Sequence, residues 1–416
     1  MAGALEQTIS SVWKREAAHV IGALARLLRD VSLAEEFAQD AFVIALEQWP
    51  KTGVPQNPGA WLMTTAKNRA LNALKRSKRS ERQVEAIETH VPLAELEAAL
   101  EGAMDFEVGD EVLRLLFAAC HPVLSKEARV ALTLRMVGGL STAEISRAFL
   151  TSEPTLAQRI VRAKKTLGDA RVAFEIPRGD ELAPRLSSVL EVVYLVFNEG
   201  YSATAGEDLM RPSLMHEARR LAHLLAALAP DEPEVHGLLG LIEFQLSRAS
   251  ARTDANGEPV LLTEQDRSLW DAQAIEIGFA AVARAEALTA QRGPYVLQAA
   301  IAACHARARS AAMTDWGRIA ALYGELAQRV PSPVVELNRA IAVSRAEGPE
   351  AGLQLLDPLM HVPAMSAYHL LPSARADLLE RLDRKDEARA EFLRAAGLAQ
   401  NERQRERLRA RAERLR

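Results

Sequence analysis

The chain has 416 residues, 49% of them hydrophobic and 25% charged, which is room for about two to three domains of ordinary size. Gly 22 and Pro 19 are too few for a fibrous or wholly disordered chain. The two cysteines, Cys120 and Cys304, stand in no Cys-x-x-Cys or Cys/His ligand spacing, so neither a zinc module nor a disulfide scaffold is indicated.

The formal net charge of −4 conceals a polarised distribution. Residues 51–82 carry eight bases and one acid, whereas residues 83–111 carry nine acids and no Lys or Arg. A basic block implies a surface for a polyanion, and the acidic block beside it implies a tether that stays off that polyanion. Residues 1–30 lack the basic start, apolar core and small-residue cleavage site of an export signal, and no apolar run is long enough to cross a bilayer. A cytoplasmic protein with no membrane contact is expected.

Apolar residues recur every three to four positions, without sustained alternation, which predicts an all-α fold. The first helical unit, residues 8–80, is interrupted between Pro50 and Pro58, where three prolines and Gly53 should stop one helix and start the next, with Pro58 in its first turn. On that next helix Trp61, Thr65, Asn68, Asn72 and Arg76 are spaced to share one stripe. An aromatic to stack on a base, amides to bond a splayed base and cations for phosphates are what single-stranded DNA requires, and Arg69, Lys75, Lys78 and Arg79 enlarge the positive field. Trp61 taken alone reads equally well as a core residue.

An acidic linker, residues 81–108, leads to a second helical unit at 109–172. There Ser141 with Glu144 forms a capping box, and Ser152 can cap the following helix. Leu156, Ile160, Ala163 and Leu167 fall on one face of that helix, while Thr155, Gln158, Arg159, Arg162 and Thr166 fall on another. Two helices joined by a short turn, the second presenting Gln and Arg, make a helix-turn-helix able to enter a major groove. Arg and Gln can read guanine and adenine, and Lys164 and Lys165 suit phosphates. Adjacent Cys120 and His121 have no further ligand beside them and read as packing positions.

Beyond a break at residues 176–180, residues 180–416 alternate helices with short Pro/Gly interruptions. Ala300-Ile301-Ala302 recurs as Ala340-Ile341-Ala342, and Pro349-Glu350-Ala351 loosely as Asp386-Glu387-Ala388. Such echoes predict tetratricopeptide-like helix pairs, each burying its apolar face on its neighbours. In Phe197-Asn198-Glu199-Gly200-Tyr201 the glycine is expected to end a helix. The tail from Asn401, with seven arginines and three glutamates, reads as a solvated last helix.

Together these elements resemble the extracytoplasmic-function subfamily of bacterial RNA polymerase sigma factors. Residues 30–42 look like region 2.2, which implies that Glu35, Glu36, Gln39 and Asp40 face the clamp helices of the polymerase beta-prime subunit. Residues 58–79 look like regions 2.3 and 2.4, which open and read the minus-10 element, implying DNA contacts from Trp61, Asn68, Arg69, Asn72, Lys75 and Arg76. Asn72 departs from the aspartate that many members carry. Residues 110–171 look like region 4, which implies minus-35 contacts from Thr155, Gln158, Arg159, Arg162, Lys164 and Lys165 and docking on the beta flap. Phe117-Ala118-Ala119-Cys120-His121-Pro122, Phe197 to Tyr201 and Leu337 to Val343 look like the subgroup with a C-terminal tetratricopeptide-like domain, in which the extension governs activity; the fusion of the repeats to the chain suggests that residues 180–416 contact regions 2 and 4.

The expected function is therefore promoter-specific transcription initiation with core RNA polymerase, through binding and without catalysis, metal or cofactor. No phosphate-binding glycine loop, nucleophile elbow or zinc spacing points to an enzyme. The alternative is a helix-turn-helix regulator of duplex DNA, which leaves the Trp61-to-Arg76 stripe unused.

Overall fold

Helix start signals divide the chain as its sequence suggests. The computed structural model describes residues 2–80, 108–149, 151–201, 210–254, 259–399 and 402–415. The acidic linker thus lies, but for Val108, outside the described residues. All elements among these are helical apart from one isolated bridge, Thr253 to Pro259. The chain divides into two units, residues 1–195 and 196–416.

The first unit begins with α1 (Ala2–Leu28), α2 (Val31–Thr52) and α3 (Pro58–Ser80). The Asp30 carboxylate caps α2, accepting from the backbone N–H of Ser32 at 2.7 Å and of Leu33 at 3.1 Å. α2 does not stop at Pro50 but runs two residues further, to Thr52. Pro50 forgoes one helical N–H in the last turn, and Gly53, at φ +83°, supplies the actual stop. Asn57 accepts from the Ala60 N–H at 3.0 Å, so α3 starts with Pro58 in its first turn, as expected. Leu62, Ala66 and Ala70 are fully buried and turn the opposite side of α3 outward.

Four further helices follow: α4 (Val108–Ala119), α5 (Lys126–Met136), α6 (Thr142–Ala148) and α7 (Glu153–Asp169). The capping box is present: the Ser141 hydroxyl accepts from the Glu144 N–H at 3.1 Å, and the Glu144 carboxylate accepts from the Ser141 N–H at 2.8 Å. Ser152 accepts from the Thr155 N–H at 3.3 Å and starts α7. Leu156, Ile160, Ala163 and Leu167 are buried, as their spacing requires.

α8 (Leu182–Tyr201) crosses the division between the units. Its opening turns pack on α4 and α5 within the first unit. Arg185 donates to the Phe117 carbonyl at 2.8 Å, Ser188 donates to the Cys120 carbonyl at 2.6 Å, and Glu191 pairs with Arg129 at 3.4 Å. Cys120 is buried there against Thr133, and burial pushes its thiol up to about 12. The His121 ring nitrogen accepts from the Val123 N–H at 3.1 Å. Cys120 and His121 thus serve the turn and its packing.

The second unit continues through α9 (Pro212–Leu228), α10 (Pro233–Ser247), α11 (Ala272–Leu288), α12 (Pro294–Arg307), α13 (Trp316–Arg329), α14 (Pro333–Ala346), α15 (Pro349–Leu356), α16 (Leu370–Arg381), α17 (Lys385–Leu398) and α18 (Glu402–Arg414). Proline opens α9, α10, α12, α14 and α15, a position whose N–H has no helical partner in any case. The sequence echoes fall at corresponding places: the Ala-Ile-Ala triplets lie within α12 and α14, and the Glu-Ala pairs in the first turns of α15 and α17. Leu297, Ile301, Ile319, Leu322 and Leu326 form one core cluster, and Leu337, Leu353, Leu356, Leu371 and Leu378 form another.

Gly200 does not end α8, which continues to Tyr201. A Cβ at Gly200 would stand 2.7 Å from the Met215 backbone nitrogen, so the glycine is where α9 approaches most closely.

Candidate nucleic-acid interface

With its apolar side buried, α3 presents Trp61, Thr64, Thr65, Asn68, Arg69 and Asn72 to a depression of about 500 Å³, completed by Ile44 and Gln48 of α2. Trp61, Thr65, Asn68 and Asn72 of the stripe read from spacing thus share one concave surface. Trp61 is half-buried: one edge meets the buried Trp49 at 5.2 Å between ring centroids, inclined at 66°. The Trp61 ring thus rests on the core and also lines the depression. Asn68, Arg69 and Asn72 are exposed. The helix continues through Lys75 and Arg76, whose side chains lie outside the described residues.

On α7, Thr155, Gln158, Arg159, Arg162 and Thr166 line a second depression of about 350 Å³, facing Val123, Leu124 and Ser125 ahead of α5. Val161, next to them, is 62% exposed. The sequence reading passed it over because valine signals core; on an exposed recognition face an apolar group can meet a thymine methyl.

Lys164 and Lys165 stand away from this surface. The Lys164 ammonium lies 2.9 Å from the Glu35 carboxylate of α2 and is largely buried, while Lys165 lines a separate recess with Arg26, Arg29 and Arg171. Glu35 also takes Arg135 of α5 at 2.8 Å and Gln39 at 2.6 Å. It is only 5% exposed, so in this arrangement it does not belong to an outward patch with Glu36, Gln39 and Asp40. Spacing could not show this, because the partners that bury Glu35 come from helices about a hundred residues away in sequence. Asp40 pairs instead with Arg69 at 3.6 Å.

Two further pairs join the α1–α3 and α4–α7 bundles. Buried Glu111 holds Arg26 at 3.1 Å, and Lys14 holds Glu144 at 3.0 Å. Burial opposes the charge on Glu144, but Ser141 and Lys14 hold its carboxyl below the ordinary range. At Gly22 of α1 a Cβ would stand 2.6 Å from the Glu111 carbonyl oxygen, so α1 and α4 pack with almost no gap.

The family model described as Sigma-70 region 2 matches residues 12–80, and that described as Sigma-70, region 4 matches residues 114–167. These are the helices carrying the two depressions. The ECF RNA polymerase sigma factor SigK of Mycobacterium ulcerans is 30% identical over 153 residues, covering 36% of this chain and 77% of that protein. The chain belongs to the extracytoplasmic-function family of RNA polymerase sigma factors.

SigK of Mycobacterium tuberculosis H37Rv is 26% identical over 172 residues, 40% of this sigma factor and 87% of that one. Both relatives match only a part of the chain. The remainder has its own relatives: residues 185–286 match a family of unknown function, DUF6596. A Rhizobium meliloti protein described as uncharacterized is 45% identical over 390 residues, 92% of this chain and 89% of that one. Sigma factors act with core RNA polymerase at promoter DNA and are not a class of enzymes. No helix among the described residues is long and apolar enough to cross a membrane.

Proposed function

We propose that this sigma factor holds the unpaired minus-10 strand in the depression lined by Trp61, Asn68, Arg69 and Asn72, with Lys75 and Arg76 on the phosphates. It reads the minus-35 duplex through Thr155, Gln158, Arg159 and Arg162. The observation that carries this reading is that Trp61, Asn68, Arg69 and Asn72 line one concave surface on α3, and Thr155, Gln158, Arg159 and Arg162 another on α7. Glu36, Gln39 and Asp40 dock on the polymerase clamp helices, and region 4 docks on the beta flap. Glu35 and Lys164 join those contacts only when the α1–α3 and α4–α7 bundles part, because they neutralise each other while the bundles are closed, whereas Lys165 is exposed and takes a phosphate directly. One chain carrying both modules raises the local concentration of the second once the first is bound.

The extension, read as tetratricopeptide-like helix pairs, governs this activity. Its leading helix supports that role, since Arg185, Ser188 and Glu191 grip the end of α4 and α5, and α5 packs against α7.

The test is in vitro transcription from random promoters with bacterial core polymerase, comparing the full chain with one ending after Tyr201. Initiation dependent on the full chain, at a common pair of elements, is the expected result, with a changed yield from the shorter chain. Failure of both forms to bind core polymerase would overturn the assignment of mechanism, and equal yields would remove the regulatory role.

A further inference from the structure

In the second unit most large buried charges have an opposite charge at hand. Arg219 forks onto Glu243 at 2.8 and 2.9 Å, and Arg375 bridges Asp357 and Glu391, each at 2.8 Å. Arg411 bonds Asp377 and Glu380.

Arg248, Arg252 and Arg267 break this pattern. They gather around the rings of Tyr201, the last residue of α8, and Trp270. The Arg252 guanidinium carbon lies 3.7 Å from the Tyr201 ring centre, that of Arg267 4.7 Å from Trp270, and that of Arg248 5.9 Å from both. Their hydrogen bonds go to neutral oxygens: Arg248 to the Tyr201 hydroxyl, Arg252 to the Tyr201 carbonyl, and Arg267 to the His305 and Ala308 carbonyls and the Thr314 hydroxyl. Among the described residues no carboxylate pairs with any of the three.

Donors are also left over. The Nε of Arg248, the Nε of Arg267 and the indole Nε1 of Trp270 are buried without a hydrogen-bond partner. Buried donors, above all charged ones, ordinarily find acceptors. The field of the cluster is felt by its members: Arg248 depresses the basicity of Arg252 and Arg267, adding to the effect of their burial. Cation–π contact offsets part of the cost of such a cluster but supplies no counter-charge. One oxyanion would supply both the missing charge and the missing acceptors, and guanidinium forks match carboxylate and phosphate oxygens.

We propose that Arg248, Arg252 and Arg267, flanked by Tyr201 and Trp270, bind a small oxyanionic ligand bearing a phosphate or carboxylate group. The site lies in the part of the chain matched by a family of unknown function, and its existence does not depend on how the sigma regions use DNA. Tyr201 ends α8, so a ligand here acts on the helix whose opening turns hold region 4, and it gives the extension something to sense.

The experiment is calorimetric titration of the full chain with sodium phosphate and with sodium acetate, against sodium chloride at equal ionic strength and pH. Saturable binding of about one phosphate or one acetate per chain is expected, and whichever anion binds names the group. Two variants locate the site. Arg248→Gln removes a charge, and Arg248→Lys keeps the charge but removes the orphan Nε. Each should weaken binding at least tenfold, and the milder second variant serves if the first does not fold. No saturable binding beyond chloride by the unaltered chain, or undiminished binding by a folded variant, would overturn the proposal.

Discussion

Glu35 and Lys164, 129 residues apart in sequence, meet at 2.9 Å, and their contact ties a region 2 helix to the recognition helix of region 4. Arg135 completes the group, so one buried carboxylate serves two cations. Removing it leaves both cations partly buried and uncompensated. Glu35→Gln should destabilise the first unit by about 3 kcal/mol, at the lower end of what breaking a buried pair costs. The urea midpoint of the full chain measures this, and a Glu35→Gln/Lys164→Gln double-mutant cycle separates the pair from the rest. An additive cycle would show that the contact carries no coupling. The closed arrangement also predicts that Glu35→Gln binds minus-35 duplex more tightly than the unaltered chain.

Arg159 and Lys165 should differ in kind. Arg159 lines the α7 depression and Lys165 does not. Arg159→Ala should cost about 1–3 kcal/mol of discrimination between promoter and random duplex. Lys165→Ala should weaken both equally and flatten the salt dependence by about one counterion. Competition binding at several salt concentrations distinguishes the two outcomes, and equal losses for Arg159→Ala would make it a phosphate contact.

Trp61 offers a test of the minus-10 surface. Its ring rests on Trp49 yet reaches the depression, so Trp61→Ala should lose about 1–3 kcal/mol of affinity for forked promoter DNA, the usual worth of one base stacked on an aromatic. Trp61→Phe should restore most of it. Fully paired DNA should bind both variants as it binds the unaltered chain; a uniform loss would point to misfolding.

His305 makes the second unit acid-sensitive. It is buried beside Arg248 and Arg267, and burial first, then those two charges, depress its pKa from 6.5 to about 4. Between these values the unfolded chain binds a proton that the folded chain does not. Stability should therefore fall as pH is lowered through that window, by on the order of 3 kcal/mol in full. Urea midpoints at pH 7.5 and pH 5 test this, and His305→Gln should lessen the difference.

The thiols give a simpler check. Cys120 and Cys304 are buried, and burial raises both pKa values. Neither should react with a thiolate-seeking reagent at neutral pH until the chain is unfolded. Rapid labelling of the native protein would contradict the packing around Thr133.

Local rules carried much of this. The capping box at Ser141, the N-cap at Ser152, the buried face of α7 and the stripe on α3 depend on residues within a turn or two of one another, and the structure has each where spacing places it. The failures were local rules overridden by tertiary contact. Glu35 has the spacing of an exposed helix residue, but Arg135 and Lys164 come from a distant part of the chain to cover it. Gly200 carries the sign of a helix end, but α9 needs the missing Cβ. The cluster of Arg248, Arg252 and Arg267 was invisible for the same reason: its rings and cations come from three separate stretches of the chain.

α7 keeps its two tasks on different sides. Thr155, Gln158, Arg159 and Arg162 point to one depression, while Lys164 is turned toward Glu35. Substitutions that retune which promoter is read can thus accumulate on the first side without disturbing closure, and closure can be strengthened or loosened without altering the sequence recognised. On the proposed reading, descendants of this chain are free to acquire new target genes while keeping the Glu35–Lys164 contact.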